Sequence, residues 1–115
     1  MLKYKGLQIA PAELENLLIT HPAIREAAVV GVPAPEDPGT DLPRAYIVPV
    51  EAAGVLSEEE VKAWVAERVA PYKQLRGGVV FVDEIPKNAI GKLLRRDLRD
   101  RAKREMAAAG FKAKL

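Results

Sequence analysis

The sequence predicts an α+β domain: a small mixed β-sheet flanked by three helices, with a short hairpin-like segment at the N-terminus. Two observations predict it. Apolar runs of strand length, at 27–32, 46–50 and 79–82, alternate with stretches in which apolar residues recur at helical spacing. The chain of 115 residues, 49% hydrophobic and 30% charged, suits one compact domain, and with only 5% aromatic residues its core must be aliphatic.

Residues 1–9 read as an extended segment turning at Gly6. Pro11, with Glu13 and Glu15 behind it, opens the first helix, because proline fits the first helical position and acids complement the positive end of the helix dipole. Leu14, Leu17 and Leu18 form its buried stripe; His21 falls in its last turn as a favourable charge, and Pro22 ends it. The β-branched content of 27–32 and 46–50 marks two strands, and the proline-rich stretch 33–39 between them reads as a loop. Ser57 and Glu60 form a capping box, after which Val61, Trp64, Val65, Arg68 and Val69 repeat at helical spacing until Pro71. At its periodic position Trp64 is read as core. Gly77 and Gly78 break the chain before the third strand, 86–91 is a loop, and Leu93, Leu94, Leu98 and Ala102 line a last helix that Gly110 stops.

Several function classes fall away on composition. The chain has no cysteine, which removes disulfides, thiolate nucleophiles and sulfur-ligated zinc, and its single histidine argues against a catalytic triad or a multi-histidine metal site. No metal ligands are assigned. No apolar run reaches the ~20 residues needed to span a bilayer, and no secretory signal pattern opens the chain, so a soluble, non-exported protein is expected. Residues 92–115 carry nine Lys/Arg against three Asp/Glu, whereas residues 1–91 are net acidic. Arg95, Arg96, Arg99 and Arg101 interleave with Asp97 and Asp100 as on a solvated helix face, and no aromatic stacking set accompanies them, which argues against nucleic acid. The final Ala113-Lys114-Leu115 resembles a peroxisomal address, with a chance tail as the alternative.

Two lysine-glycine clusters remain, on loops at opposite ends of the chain: Lys3-Tyr4-Lys5-Gly6-Leu7-Gln8 and Pro86-Lys87-Asn88-Ala89-Ile90-Gly91-Lys92. Glycine admits close ligand approach and lysine supplies a point charge for phosphate or carboxylate. Neither is a P-loop, since Lys92 is followed by Leu93 rather than Ser or Thr. On the residues alone, a hairpin glycine beside a solvated lysine is the competing reading.

The stretches 3–15, 75–87 and 91–99 resemble the C-terminal domain of the adenylate-forming family of acyl-CoA synthetases, 4-coumarate-CoA ligases, beetle luciferases and peptide-synthetase adenylation domains. The resemblance implies a small mobile lid at 1–112, beginning just past the hinge to a large N-terminal domain that lies outside this sequence, with the address-like tripeptide at 113–115. It implies ATP with magnesium held through the large domain, a carboxylic acid and CoA as substrates, and a two-step reaction through an acyl-adenylate to acyl-CoA, AMP and pyrophosphate. Lys92 matches the adenylation lysine; Lys3 and Gln8 match positions facing the adenylate in the thioester-forming pose. Lys5 and Gly6 match the wall of the pantetheine tunnel, and Tyr72 and Lys73 a place where some members contact the CoA nucleotide. Ile90 departs from the family, where many members carry Ser or Thr. The fragment alone is expected to be inactive, its partners being the large domain and, through the tripeptide, an import receptor. A carrier protein replacing CoA, a luciferase-type oxygenase and a non-catalytic binding module are the rival readings. The resemblance implies that acyl specificity resides in the large domain.

Overall fold

A computed structural model of the chain describes residues 2–34, 37–50, 56–87 and 95–114, with the backbone alone at 38, 95 and 106–114. Strands β1 (Leu2–Tyr4) and β2 (Leu7–Ile9) pair antiparallel, and helix α1 (Pro11–Leu18) follows. Strands β3 (Ile24–Ala34) and β4 (Asp37–Pro49) form a long antiparallel pair, then come α2 (Glu58–Ala66), a 3-10 turn at Pro71–Lys73, β5 (Val79–Phe81) and α3 (Arg95–Lys114). β5 pairs parallel to β4, so the three-stranded sheet β3-β4-β5 is mixed, as expected.

Alternation along the strands builds a core on each face. Val29, Ala45, Ile47 and Val79 point to one side, where they meet Leu14 and Leu18 of α1, Val61 and Val65 of α2, and Leu2 and Ile9 of the hairpin. Ala28, Val30, Tyr46 and Val48 point to the other, against Leu98 and Ala102 of α3. Edge strands leave N–H groups without a ladder partner. Two of them are met by carboxylates: the Val29 N–H donates to Glu15 Oε2 at 2.8 Å, and the Val79 N–H to Glu58 Oε2 at 3.0 Å. The second bond, ahead of the Lys62 ammonium, holds the Glu58 carboxyl below the usual carboxylate range.

Four sequence expectations are corrected. The proline-rich stretch is no free loop: β3 runs on through Pro33 to Ala34 and β4 begins at Asp37, with a register shift at Pro33/Ala34. Pro33 lies on the edge strand, and Pro43 lies below the reach of β5, where a missing N–H need not break a ladder. His21 lies beyond α1 rather than in its last turn; its Nδ1 accepts the Ala23 N–H at 3.0 Å and its ring meets Trp64 edge-on, so it fastens a turn instead of serving as a helix-end cation. Gly110 does not stop α3, which continues to Lys114; glycine costs a helix about 1 kcal/mol relative to alanine, and the run Ala107-Ala108-Ala109 before it favours continuation. Arg101 leaves the solvated face to join a cluster described below. Ser57 does cap α2, its Oγ accepting the Glu60 N–H at 3.1 Å, and Trp64 packs against the core.

Candidate functional site: the lysine hairpin

The turn between β1 and β2 consists of Lys5 (φ 49°) and Gly6 (φ 86°), both left-handed, the signature of the two-residue turn whose twist matches a hairpin. A Cβ at Gly6 would meet nothing within 4 Å. Within this chain glycine is therefore required by backbone conformation, not by crowding. Across the ladder Lys3 stands directly opposite Gln8, which places the two side chains on one face. Both are exposed, and the Lys3 ammonium has no ion-pair or hydrogen-bond partner among the described residues. Next to them Leu7 is 48% exposed.

The hairpin backbone is held by the tip of β4. The Lys3 N–H donates to Asp41 Oδ2 at 3.1 Å and the Lys5 N–H to Thr40 Oγ1 at 3.3 Å. Thr40 in turn donates its hydroxyl to Asp37 Oδ2 at 2.7 Å and is only 2% exposed. Gly31 on β3 leaves room for this junction, since a Cβ there would lie 2.5 Å from Leu2 Cδ2 and 3.2 Å from Asp41 Cβ.

Tyr72 and Lys73 sit in the 3-10 turn. Tyr72 packs against the core, and Lys73 Nζ pairs with Glu13 Oε1 at 2.7 Å, which raises the lysine above its ordinary value. Arg76 joins this turn to the hairpin: its Nη1 donates to the Pro71 carbonyl at 2.7 Å and its guanidinium lies 5.3 Å from the centre of the Tyr4 ring. Tyr4, Lys5, Thr40 and Arg76 line a cavity of about 270 Å³. The structure thus brings Lys3, Lys5, Gly6 and Gln8 together. It adds Thr40, Asp41 and Arg76, which sequence reasoning missed; their contacts with the hairpin span 35 residues or more, and nothing in the local pattern marks them.

Lys92, Gly91 and Ile90 lie outside the described residues, as do Leu93, Leu94 and Leu115. Of the second cluster, Lys87 is described, paired with Glu26. On the α3 face a polar cluster is closed upon itself. Arg44 Nη2 and the Tyr46 hydroxyl both donate to Glu105 Oε1, at 2.9 and 2.7 Å; Arg101 Nε donates to Glu105 Oε2 at 3.1 Å, and Arg44 Nη1 to the Gly77 carbonyl at 2.7 Å. Burial alone would raise the Glu105 carboxyl, but the bonds from Tyr46, Arg44 and Arg101 bring it below the usual range. Burial, followed by the Glu105 contact, raises the Tyr46 hydroxyl. Among the described residues no group of three or more His, Asp or Glu could hold a metal ion, and no helix is long and apolar enough to cross a membrane.

A two-faced α+β unit with an exposed lysine hairpin defines a class of small domain, and the comparisons specify which. The chain belongs to the AMP-binding enzyme C-terminal domain family, which it matches over residues 13–92. A protein of Emericella nidulans bearing the provisional name acyl-coenzyme A synthetase is 55% identical over 115 residues, 100% of this chain and 20% of its own length. The luciferin 4-monooxygenase of Photinus pyralis is 48% identical over 100 residues, 87% of this chain and 18% of its own length. Among solved structures, the anthranilate CoA ligase AuaEII in complex with anthranoyl-AMP superposes with a TM-score of 0.80 at 38% identity, covering 95% of this chain and 20% of that one. The chain thus spans about a fifth of the length of the relatives it matches.

Proposed function

We propose that this chain is the mobile C-terminal domain of an ATP-dependent, 4-coumarate-CoA-like acyl-CoA ligase. The large domain holds ATP and magnesium. In the first step a carboxylate oxygen attacks the α-phosphorus of ATP, expelling pyrophosphate; in the second the CoA thiol attacks the acyl carbon, releasing AMP. Lys92 serves the first step by placing a compact positive charge where negative charge gathers. Lys3 and Gln8 serve the second by facing the adenylate, with Lys5 and Gly6 walling the pantetheine path and Tyr72 and Lys73 beside the CoA nucleotide. The observation that carries this reading is the cross-strand pairing of Lys3 with Gln8 on an exposed face, with the lysine unpaired among the described residues. Lys73, already paired with Glu13, is the weakest anion hook of the set.

Single-turnover kinetics of each half-reaction in the full-length enzyme test it. Lys92→Ala is expected to slow adenylation ~100–1000-fold while thioester formation from supplied acyl-adenylate survives. Gly6→Leu is expected to slow the second step and leave pyrophosphate release near normal. Equal loss of one step by both variants refutes the division. The 115-residue chain alone should sustain no pyrophosphate release. The similarity to a luciferin 4-monooxygenase supports an oxygenase as second reading; CoA-dependent thioester formation decides between them. Ala113-Lys114-Leu115 supports a peroxisomal address, and a fluorescent fusion ending in it that stays cytosolic in import-competent cells would overturn that part.

A further inference from the structure

We propose that Asp41 and Thr40 are positioning residues for thioester formation, their side chains replacing a neighbouring strand along β1 and so fixing the hairpin that presents Lys3 and Gln8. The proposal rests on the functional reading above.

Two strands of three residues do not stand alone. With a two-residue turn, Tyr4 and Leu7 exchange the last ladder bonds, so the N–H groups of Lys3 and Lys5 point away from β2 and need partners elsewhere. Asp41 and Thr40 supply those partners. Because the Thr40 hydroxyl donates its hydrogen to Asp37, its lone pairs face Lys5, which fixes the direction of the bond. Gly31 opens the space in which Leu2 and Asp41 meet, so the docking is built from β1, β3 and β4 together. Both bonds go to backbone. The Lys3 ammonium is thereby positioned without being neutralised, as a group meant for an external anion must be.

The test uses the full-length enzyme and two kinds of substitution. Thr40→Val and Asp41→Ala remove the acceptors; Thr40→Ser and Asp41→Asn keep them. The first pair should slow thioester formation from supplied acyl-adenylate about tenfold, the loss of one to two ordinary hydrogen bonds, with pyrophosphate release within about twofold of wild type. The second pair should restore the rate to within about twofold. Amide exchange at Lys3 and Lys5, measured on the 115-residue chain, should quicken in the first pair only. Unchanged exchange in both Thr40→Val and Asp41→Ala would show that the clamp does not exist. Faster exchange with an unaltered second step, an equal fall in both half-reactions, or no rescue by Thr40→Ser and Asp41→Asn would overturn the positioning role. A wild-type enzyme that forms no thioester from acyl-adenylate and CoA would instead sink the functional reading, while the exchange measurement still decides whether the clamp is real.

Discussion

The lysine hairpin and the Arg44–Tyr46–Glu105 cluster lie on opposite faces of one sheet, and each sets charged residues beside an apolar core. In the cluster, side chains satisfy side chains: the Arg44 side chain is 12% exposed, and Glu105 accepts from three donors. At the hairpin, side chains satisfy backbone, and the lysine heads stay exposed. Closed charge networks rigidify, whereas charges excluded from such networks remain open to a ligand. The difference separates the structural use of charge in the cluster from the chemical use proposed for the hairpin more clearly than residue type does.

Removing the centre of the closed cluster is the strongest way to break this distinction. Glu105→Ala takes from Arg44 and the Tyr46 hydroxyl their shared acceptor at the α3 interface and is expected to destabilise the domain by about 2–3 kcal/mol, softened by the Arg44 bonds to Gly77 and to the Tyr46 oxygen. Denaturant unfolding of the 115-residue chain measures the loss. In the full-length enzyme both half-reactions should then scale with the folded fraction; a selective loss of one step would show that the cluster is part of the chemistry. A smaller effect sharpens the comparison. The folded-state carboxyl of Glu105 lies below its ordinary 4.5, so its contribution is present above that value and is lost as pH falls through the folded value. Glu105→Gln should flatten the acid-side decline in stability by about 1 kcal/mol at most, since the pair is partly solvated. An unaltered pH slope would mean that Glu105 does not carry it.

How much could be read in advance followed from sequence separation. Gly6 announces its turn locally, and Ser57 with Glu60 announces a cap, so the hairpin and α2 are visible in a few residues. The clamp is not, because Lys5 and Thr40 are 35 residues apart and a threonine beside prolines looks like loop. Glu105 reaches Arg44 across 61 residues, and in the sequence it is one more charge on a polar helix. The prolines misled for a related reason: they signal a loop unless the width of the sheet at that point is known, and width is a tertiary property. Of the proposed site, the hairpin half can be placed in the fold, whereas Lys92 lies outside the described residues.

The left-handed backbone at Lys5 has a consequence for how this domain would change under selection. Asparagine or glycine occupies that conformation more readily than lysine, so Lys5→Asn should raise stability by a few tenths to about 1 kcal/mol. It would also delete a cation from the proposed pantetheine wall. A population selected for heat tolerance alone would drift toward asparagine here, and one selected for turnover would hold the lysine against that pull.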